Sequence, residues 1–348
     1  MRRSIISLGG LALVCALLAL SAAVAVAVHD EGLFELDSNA VEDNGLPEDD
    51  WQNVYIGRSS AIATLFQTDN ADPPADTTYF TGGGSKDVND IDQWRHTASD
   101  QAPDKDELTN VYAASYVAED DNLIVYFGAD RYSSKGNSQI GFWFFQNPVT
   151  PLPDGTFQGV HQVGDILVLS DFVKGGRIPE VKVYEWVGSG GSDGSLDLIV
   201  DGVDCDDISP GDPHDVCATV NEKPEPSPWP YKPKSGASGM FPAGGFYEGG
   251  VKLNDGLLGR HVGCFSSFLV ETRSSSSVTA ELKDFAVGQI GECGVRIRIT
   301  PEGAANQVGD EHPLTASVER KALGGGWEIE ERSMSDAKAA SRKTSSNP

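Results

Sequence analysis

The stretch Ile140-Gly-Phe-Trp-Phe-Phe-Gln-Asn-Pro-Val149 carries four consecutive aromatic side chains. Because successive side chains of a β-strand point to opposite sides, Phe142 and Phe144 share one face, and Trp143 and Phe145 share the other. A strand that is apolar on both faces is either buried between layers or presents an aromatic face to a ligand. The neighbouring strand candidates are short, numerous and apolar on both sides. We therefore predict that Phe142, Trp143 and Phe144 belong to the core.

Further runs of strand length, rich in β-branched and aromatic residues, surround this stretch, and turns containing Gly, Asp or Asn separate them. They are Val111 to Val117, Leu123 to Phe127, Ile166 to Leu169, Glu180 to Val187, Leu196 to Val200 and Ser277 to Gly288. A parallel α/β sheet would need helices of about 10–15 residues between its strands. The pattern instead predicts an all-β domain over residues 30–294, a jelly-roll or galactose-binding-like β-sandwich. Phe265, Phe268 and Leu269 have helical spacing, which leaves a short helix as an alternative there.

The N-terminus has the features of an export signal over residues 1–27. Arg2 and Arg3 precede an apolar run from Ile5 to Leu20, and small residues follow at alternating positions near Ala25. We predict a secreted, extracellular protein. The alternative is a signal that is retained as a membrane anchor, since the apolar stretch is long enough to span a bilayer.

The cysteines also favour export. Cys15 lies in the predicted signal, which leaves Cys205, Cys217, Cys264 and Cys293. An even number in an exported chain predicts two disulfides, of three conceivable pairings. We favour Cys205 with Cys217 and Cys264 with Cys293, because each pair closes a local segment. A zinc site is disfavoured because no Cys-x-x-Cys pair occurs.

The charge restricts the partners. The chain has 26 Lys and Arg against 52 Asp and Glu, a formal net charge of −26 at pH 7. Nucleic acids are excluded as partners, since phosphate contacts need basic residues. Anionic membranes are disfavoured for the same reason, so the only membrane contact we expect is through an uncleaved signal. We expect a monomer.

An acidic segment offers candidate calcium ligands, because calcium takes six to eight oxygen ligands that closely spaced Asp and Asn side chains supply. The candidates are Asp87, Asn89, Asp90, Asp92, Asp104 and Asp106. Their spacing is not that of an EF-hand. The alternative is a solvated acidic turn in which these side chains cap turns.

Aromatic side chains in loops are candidates for glycan binding, because sugar C–H faces stack on flat rings. Trp229 and Tyr231 lie in the Pro-rich segment 222–235, which prolines hold extended. Trp94 lies within the acidic segment, between Asp92 and Asp104. We predict Trp94, Trp229 and Tyr231 as ligand-binding residues. The alternative is that the loop packs back on the domain.

The sequence gives no support for catalysis. It contains no His-Glu-x-x-His and no Gly-rich phosphate loop. A glycosidase needs only two carboxylates, and no pair stands out among so many acids. We nominate no catalytic residue and favour a protein that is not an enzyme.

Several segments carry a family resemblance: Gly82-Gly-Gly-Ser-Lys-Asp87, Gly141-Phe-Trp-Phe-Phe-Gln146, Gly164-Asp-Ile-Leu-Val-Leu-Ser-Asp-Phe172 and Cys264-Phe-Ser-Ser-Phe-Leu-Val-Glu-Thr-Arg273. They resemble uncharacterised exported bacterial proteins in which this β-domain often precedes Ig-like or prealbumin-like surface repeats. The resemblance implies architecture and location but no catalytic residue. Residues 295–327 resemble the first strands of an Ig-like repeat. They are either the start of a truncated array or a strand pair docked on the main domain. Residues 328–348 are predicted to be a disordered tail.

Together these observations predict a secreted or cell-surface binding or adhesion module, with a glycan or a surface protein as partner and calcium as a stabilising ion. Two alternatives remain open: a structural head domain without a small ligand, and a glycan-active hydrolase.

Overall fold

The computed structural model describes residues 28, 32–43, 48–69, 76–118, 122–172, 181–188, 196–209, 214–253, 264–291, 295–301, 314–321 and 327–330. The predicted signal at 1–27, Cys293 and residues 331–348 of the predicted tail lie outside the described residues. Within the described part, no helix combines the length and the apolar character needed to cross a membrane.

The described elements are almost all strands. They are β1 Ala63–Thr68, β2 Tyr79–Phe80, β3 His96–Thr97, β4 Leu108–Val117, β5 Leu123–Arg131, β6 Ser138–Phe145, β7 Thr150–Pro151, β8 Phe157–Gln158, β9 Ile166–Phe172, β10 Val181–Trp186, β11 Leu196–Asp204, β12 Val216–Val220, β13 Glu225–Pro226, β14 Met240–Phe241, β15 Phe246–Leu253, β16 Ser267–Arg273, β17 Leu282–Gln289, β18 Val295–Pro301, β19 Leu314–Lys321 and β20 Trp327–Glu330. The helical elements are α1 Trp51–Tyr55 and 3₁₀ turns at Ile91–Gln93 and Cys205–Asp207. The predicted all-β class is confirmed.

Thirteen strands form one continuous hydrogen-bonded sheet in the order β1-β4-β5-β15-β12-β11-β10-β9-β6-β16-β17-β2-β3. The sheet passes from one layer to the other at β11. This strand pairs with β10 in antiparallel and with β12 in parallel orientation. At the other end, the Leu65 side chain of β1 packs against Gly288 of β17. Two layers of a β-sandwich result, with an apolar core between them.

The aromatic stretch that opened the sequence forms β6, inside one layer between β9 and β16. Its side chains alternate as predicted: Phe142 and Phe144 enter the core between the layers, where Phe142 lies 4.7 Å from Phe127, ring centroid to centroid. Trp143 and Phe145 enter a second apolar cluster on the outer face of the same layer. The prediction that Phe142, Trp143 and Phe144 are core residues is confirmed, since each is fully buried.

The short helix considered at Phe265 to Leu269 is wrong for most of that segment, because Ser267–Arg273 is a strand. It pairs with β6 along its whole length and with β17 on its other side. Phe268 faces the core between the layers and Leu269 faces the outer cluster, which is the alternation of a strand. Backbone pairing to two neighbours outweighs the local helical spacing.

Both outer faces of the sandwich are covered by their own apolar clusters. On one face, α1 and the segment before it bring Phe34 and Trp51 against Tyr112 and Tyr126 of β4 and β5. On the other face, Trp94, Trp143 and Trp186 pack together with Phe80 and Phe285. These coverings explain why β5 and β6 are apolar on both sides.

A disulfide joins Cys205 and Cys217, linking the 3₁₀ turn after β11 to β12. The predicted pairing of these two residues is confirmed. Cys264 is also disulfide-bonded.

Beyond residue 294 the structure describes a separate three-stranded antiparallel sheet, β18-β19-β20. The sequence indicated only a strand pair in residues 295–327. The third strand begins at Trp327 and runs through Glu330, into the range predicted as a tail. Backbone pairing from Val318 to Lys321 of β19 accounts for it.

Candidate functional site

The aromatic residues predicted to bind a ligand are buried. Trp94, Trp229 and Tyr231 expose 0%, 3% and 5% of their surface. Their polar atoms have internal partners: Trp94 Nε1 donates to the Lys86 carbonyl, Trp229 Nε1 to Asp130 Oδ2 at 2.9 Å, and the Tyr231 hydroxyl to the Arg131 carbonyl at 2.7 Å.

Because these hydrogen bonds satisfy the polar ends of the rings, burial carries little penalty and the apolar bodies fill the outer clusters. The structure therefore contradicts the prediction of an exposed aromatic platform. The alternative, in which the Pro-rich loop packs back on the domain, agrees with the structure.

The six predicted calcium ligands are not brought together. Asp87 is fully buried, accepts from Trp143 Nε1 at 2.9 Å and forms an ion pair with Arg273. Asp106 accepts from Ser138 Oγ at 2.6 Å and pairs with Lys105. Asp104 pairs with Lys234 on the surface.

The remaining three lie at the 3₁₀ turn Ile91–Gln93: Asn89 and Asp90 precede it, and Asp92 is inside it. The Asn89 amide donates to the Gly84 carbonyl, Asp90 is half-buried at the N-terminus of the turn, and Asp92 is exposed. None of the six belongs to the group of described residues whose oxygens converge closely enough to hold one ion. The chain itself supplies cations or donors to the buried members of the predicted site.

A different set of acidic residues does converge, and we call it the acidic centre: Asp76, Glu107 and Asp284. One carboxylate oxygen from each lies within 4.8 Å of the others. Asp76 precedes β2, Glu107 precedes β4 and Asp284 lies on β17. The three residues expose only 2%, 3% and 0% of their surface.

Backbone and hydroxyl donors orient two of these carboxylates. Asp284 Oδ1 accepts from the Phe285 N–H at 2.9 Å, and Oδ2 accepts from the Leu108 N–H at 2.6 Å. Asp76 Oδ1 accepts from the N–H and the hydroxyl of Thr78, at 2.9 and 2.7 Å. Asp76 Oδ2 and Glu107 Oε1, although buried, have no hydrogen-bond partner.

The electrostatics of the acidic centre are those of crowded, desolvated carboxylates. Burial, followed by the charges of Asp76 and Asp69, raises the pKa of Glu107 to about 9. Burial, followed by Asp69 and Glu107, raises the pKa of Asp284 well above its ordinary value. No Lys or Arg is among the groups that shift these two pKa values. None of the ion pairs among the described residues includes Asp76, Glu107 or Asp284.

A cleft of about 480 Å³ lies beside the acidic centre, and we call it the His96 cleft. Its lining includes Thr78, His96, Thr97, Pro153, Asp154 and Phe285. Thr78 and Phe285 also hold the acidic centre, since both donate hydrogen bonds to its carboxylates. The two features therefore share a wall.

The two sides of the cleft are joined by the imidazole of His96. Its Nε2 lies 3.0 Å from the Leu152 carbonyl and its Nδ1 lies 3.4 Å from the Thr77 carbonyl. Asp154 is on the exposed rim, where hydrogen bonds from the hydroxyl and N–H of Thr156 hold its pKa below the ordinary value. The rim thus presents an ionised carboxylate at neutral pH.

Sequence reasoning missed the acidic centre, although two signals were present. Asp76 ends an Asp- and Pro-rich stretch of the sequence that begins at Asp69. Asp284 lies two positions before Ala286, a member of the core between the layers, and so is a charged residue on an inward strand face.

Comparisons with protein-family models, curated proteins and solved structures found no match for this chain.

Proposed function

We propose that this chain is an exported, non-enzymatic binding domain whose ligand is a neutral saccharide held in the His96 cleft. The observation that carries the proposal is the cleft itself, whose volume of about 480 Å³ falls in the range of small-ligand sites, about 300–1,000 Å³.

The lining favours an uncharged polyhydroxylated ligand. Threonine hydroxyls and the Asp154 carboxylate offer hydrogen bonds to sugar hydroxyls, while proline rings and Phe285 offer apolar surface to C–H faces. Among the described residues, no Lys or Arg lines the cleft, so this lining provides no cationic partner for an anionic ligand.

The same lining argues against hydrolysis. A glycosidase needs two carboxylates about 5–10 Å apart at the scissile bond. Asp154 is the only acid among the lining residues that the structure describes, and both nitrogens of His96 face backbone carbonyls. The Cys205–Cys217 disulfide supports export, since thiols in the cytosol are kept reduced.

The test is a glycan array followed by calorimetric titration of any neutral saccharide that binds. We expect Asp154→Asn and Thr97→Val to weaken binding about tenfold each, the loss of roughly one hydrogen bond. Asp154→Asn retains the acceptor for Thr156, so the loop is kept. The matched control is Asp100→Asn, an exposed acid that lines a different, smaller pocket. The proposal fails if no neutral saccharide binds, or if both cleft variants bind as tightly as the control.

The second candidate is a structural head domain without a small ligand. Its supporting observation is the burial of Trp94, Trp229 and Tyr231, which removes the aromatic rings that glycan-binding surfaces expose. An empty glycan array together with a cooperatively folded protein favours this candidate over the cleft.

A further inference from the structure

The acidic centre presents an unusual electrostatic problem. Three carboxylates share a buried space, and two of their oxygens, Asp76 Oδ2 and Glu107 Oε1, have no hydrogen-bond partner. Buried polar atoms in native proteins nearly always have a partner, which in many cases is a water or an ion. When the three groups are ionised, these oxygens only accept, so the missing partner must then be a donor or a cation that offsets the negative charge.

Either protons or a metal cation could supply that positive charge. Burial and the neighbouring acids favour protons when no ion is bound, and the hydrogen bonds orient Asp284 and Asp76 for a cation that replaces those protons. Both oxygens of Asp284 accept backbone N–H groups, from Phe285 and Leu108. Asp76 likewise accepts two donors from Thr78 on a single oxygen. Donors arranged in this way stabilise the ionised carboxylate, whereas a proton on the same group would oppose them. A cation leaves all of these hydrogen bonds intact.

The chemistry of the donor set indicates which cation fits. All three side chains offer hard carboxylate oxygens, and neither His nor Cys is in the group. Zinc and copper prefer nitrogen and sulfur ligands, whereas calcium prefers oxygen at about 2.3–2.6 Å. Two oxygens bound to one calcium are therefore at most about 5 Å apart, which agrees with the 4.8 Å within which these oxygens lie.

We propose that the acidic centre of Asp76, Glu107 and Asp284 is a calcium site that fastens the two layers of the sandwich together. Glu107 directly precedes β4, which belongs to the layer of β1, β5 and β15. Asp284 lies on β17, which belongs to the layer of β6 and β16, and Asp76 precedes β2 beside it. An ion bound to all three joins opposite layers at one end of the sandwich.

The proposal stands apart from the saccharide-binding function, since it concerns the fold and holds whether or not the cleft takes a ligand. The experiment therefore contains no saccharide. The full chain is stripped with a chelator and titrated with CaCl₂ alone, and calorimetry and thermal unfolding are recorded. We expect one ion per chain and a rise in melting temperature of about 5–10 °C at 100-fold excess over Kd.

Glu107→Gln is the principal variant, because Glu107 Oε1 makes no hydrogen bond that an amide would lose. We expect it to abolish the calcium-induced rise while the chelated protein unfolds at or above the wild-type temperature. Asp76→Asn is the second variant, for the event that the first does not fold. Asp92→Asn is the matched control, an exposed acid from the set that the sequence alone selects. It should keep the full rise.

Three results would overturn the assignment: no heat and no thermal shift at millimolar calcium, an unchanged shift in both Glu107→Gln and Asp76→Asn, or an equal shift with MgCl₂ at the same concentration. Saccharide binding in the cleft is measured separately, so either proposal can fail while the other survives.

Discussion

Two neighbouring strands each carry a buried cluster of charged side chains. The two clusters differ in whether a cationic side chain lies beside the buried carboxylates. On β16, Arg273 forms an ion pair with Asp87, and its Nη1 lies 3.4 Å from Glu271 Oε1, with all three side chains fully buried. On β17, Asp284 meets Asp76 and Glu107, and none of these three takes part in an ion pair among the described residues.

The two clusters differ in the source of the positive charge beside the buried carboxylates. Asp87 was a candidate calcium ligand by sequence, yet its partner is Arg273, 186 positions further along the chain. A buried carboxylate beside a guanidinium needs no metal. The acidic centre also contains buried carboxylates, but no guanidinium of the described residues pairs with them. We therefore place the calcium site at the acidic centre.

The largest expected effect comes from breaking the arginine cluster. Arg273→Met removes the positive charge and leaves Asp87 and Glu271 buried without it. Removing one partner of a buried ion pair costs about 3–5 kcal/mol, so the free energy of unfolding should fall by roughly that amount in denaturant titration. Calcium should not restore it. A loss below about 1 kcal/mol would show that the cluster does not depend on Arg273.

The sequence could predict the layers of this fold but not the charge clusters between them. The alternation in β6 and the turns between strands are local signals, so Phe142 and Trp143 were assigned correctly. Partners distant in the chain leave no local signal: Thr78 and Asp284 are 206 positions apart, and Trp229 finds its acceptor Asp130 at a separation of 99. Only the pairing of strands reveals which acid meets a cation, a donor or another acid.

Asp130 is a third kind of buried carboxylate, held by neutral hydrogen-bond donors. Its burial predicts that the free energy of unfolding depends on pH. Asp130 is fully buried and accepts from Thr109, Asn110 and Trp229. Burial raises its pKa to about 7, against about 4 in the unfolded chain. The folded state holds a proton that the unfolded state releases in this interval. The contribution of Asp130 to the free energy of unfolding is therefore fully present below about pH 4 and is lost as the pH rises towards 7.

The contribution of Asp130 over this window is roughly 3–4 kcal/mol, from about three pKa units. Denaturant unfolding of Asp130→Asn between pH 4 and 8 should show a flatter decline than the wild type, whatever its absolute stability. The comparison is between slopes, because the amide also loses one acceptor for the Trp229 N–H. Equal slopes in the two proteins would contradict the raised pKa.

The next effect sets the two charge clusters directly against each other, with and without calcium. Asp87→Asn should lose the same stability in calcium and in chelator, because its cation is Arg273. Glu107→Gln should lose about 2–3 kcal/mol only in calcium at 100-fold excess over Kd, and nothing in chelator. Thermal or denaturant unfolding of both variants in both buffers gives four values. A calcium-dependent loss in Asp87→Asn would place an ion at the arginine cluster instead.

The smallest effect belongs to the ion pair on the surface, where the same charges meet in water. Lys234 pairs with Asp104, and the two side chains are 44% and 50% exposed. Water screens such a pair, and ordering two flexible side chains offsets most of the attraction, so exposed pairs contribute about 0–1 kcal/mol. Lys234→Ala should therefore change the free energy of unfolding by less than about 1 kcal/mol, and added salt should reduce even that difference. A loss approaching that of Arg273→Met would mean that burial is not what separates the two pairs, and the contrast between the clusters would have to rest on geometry alone.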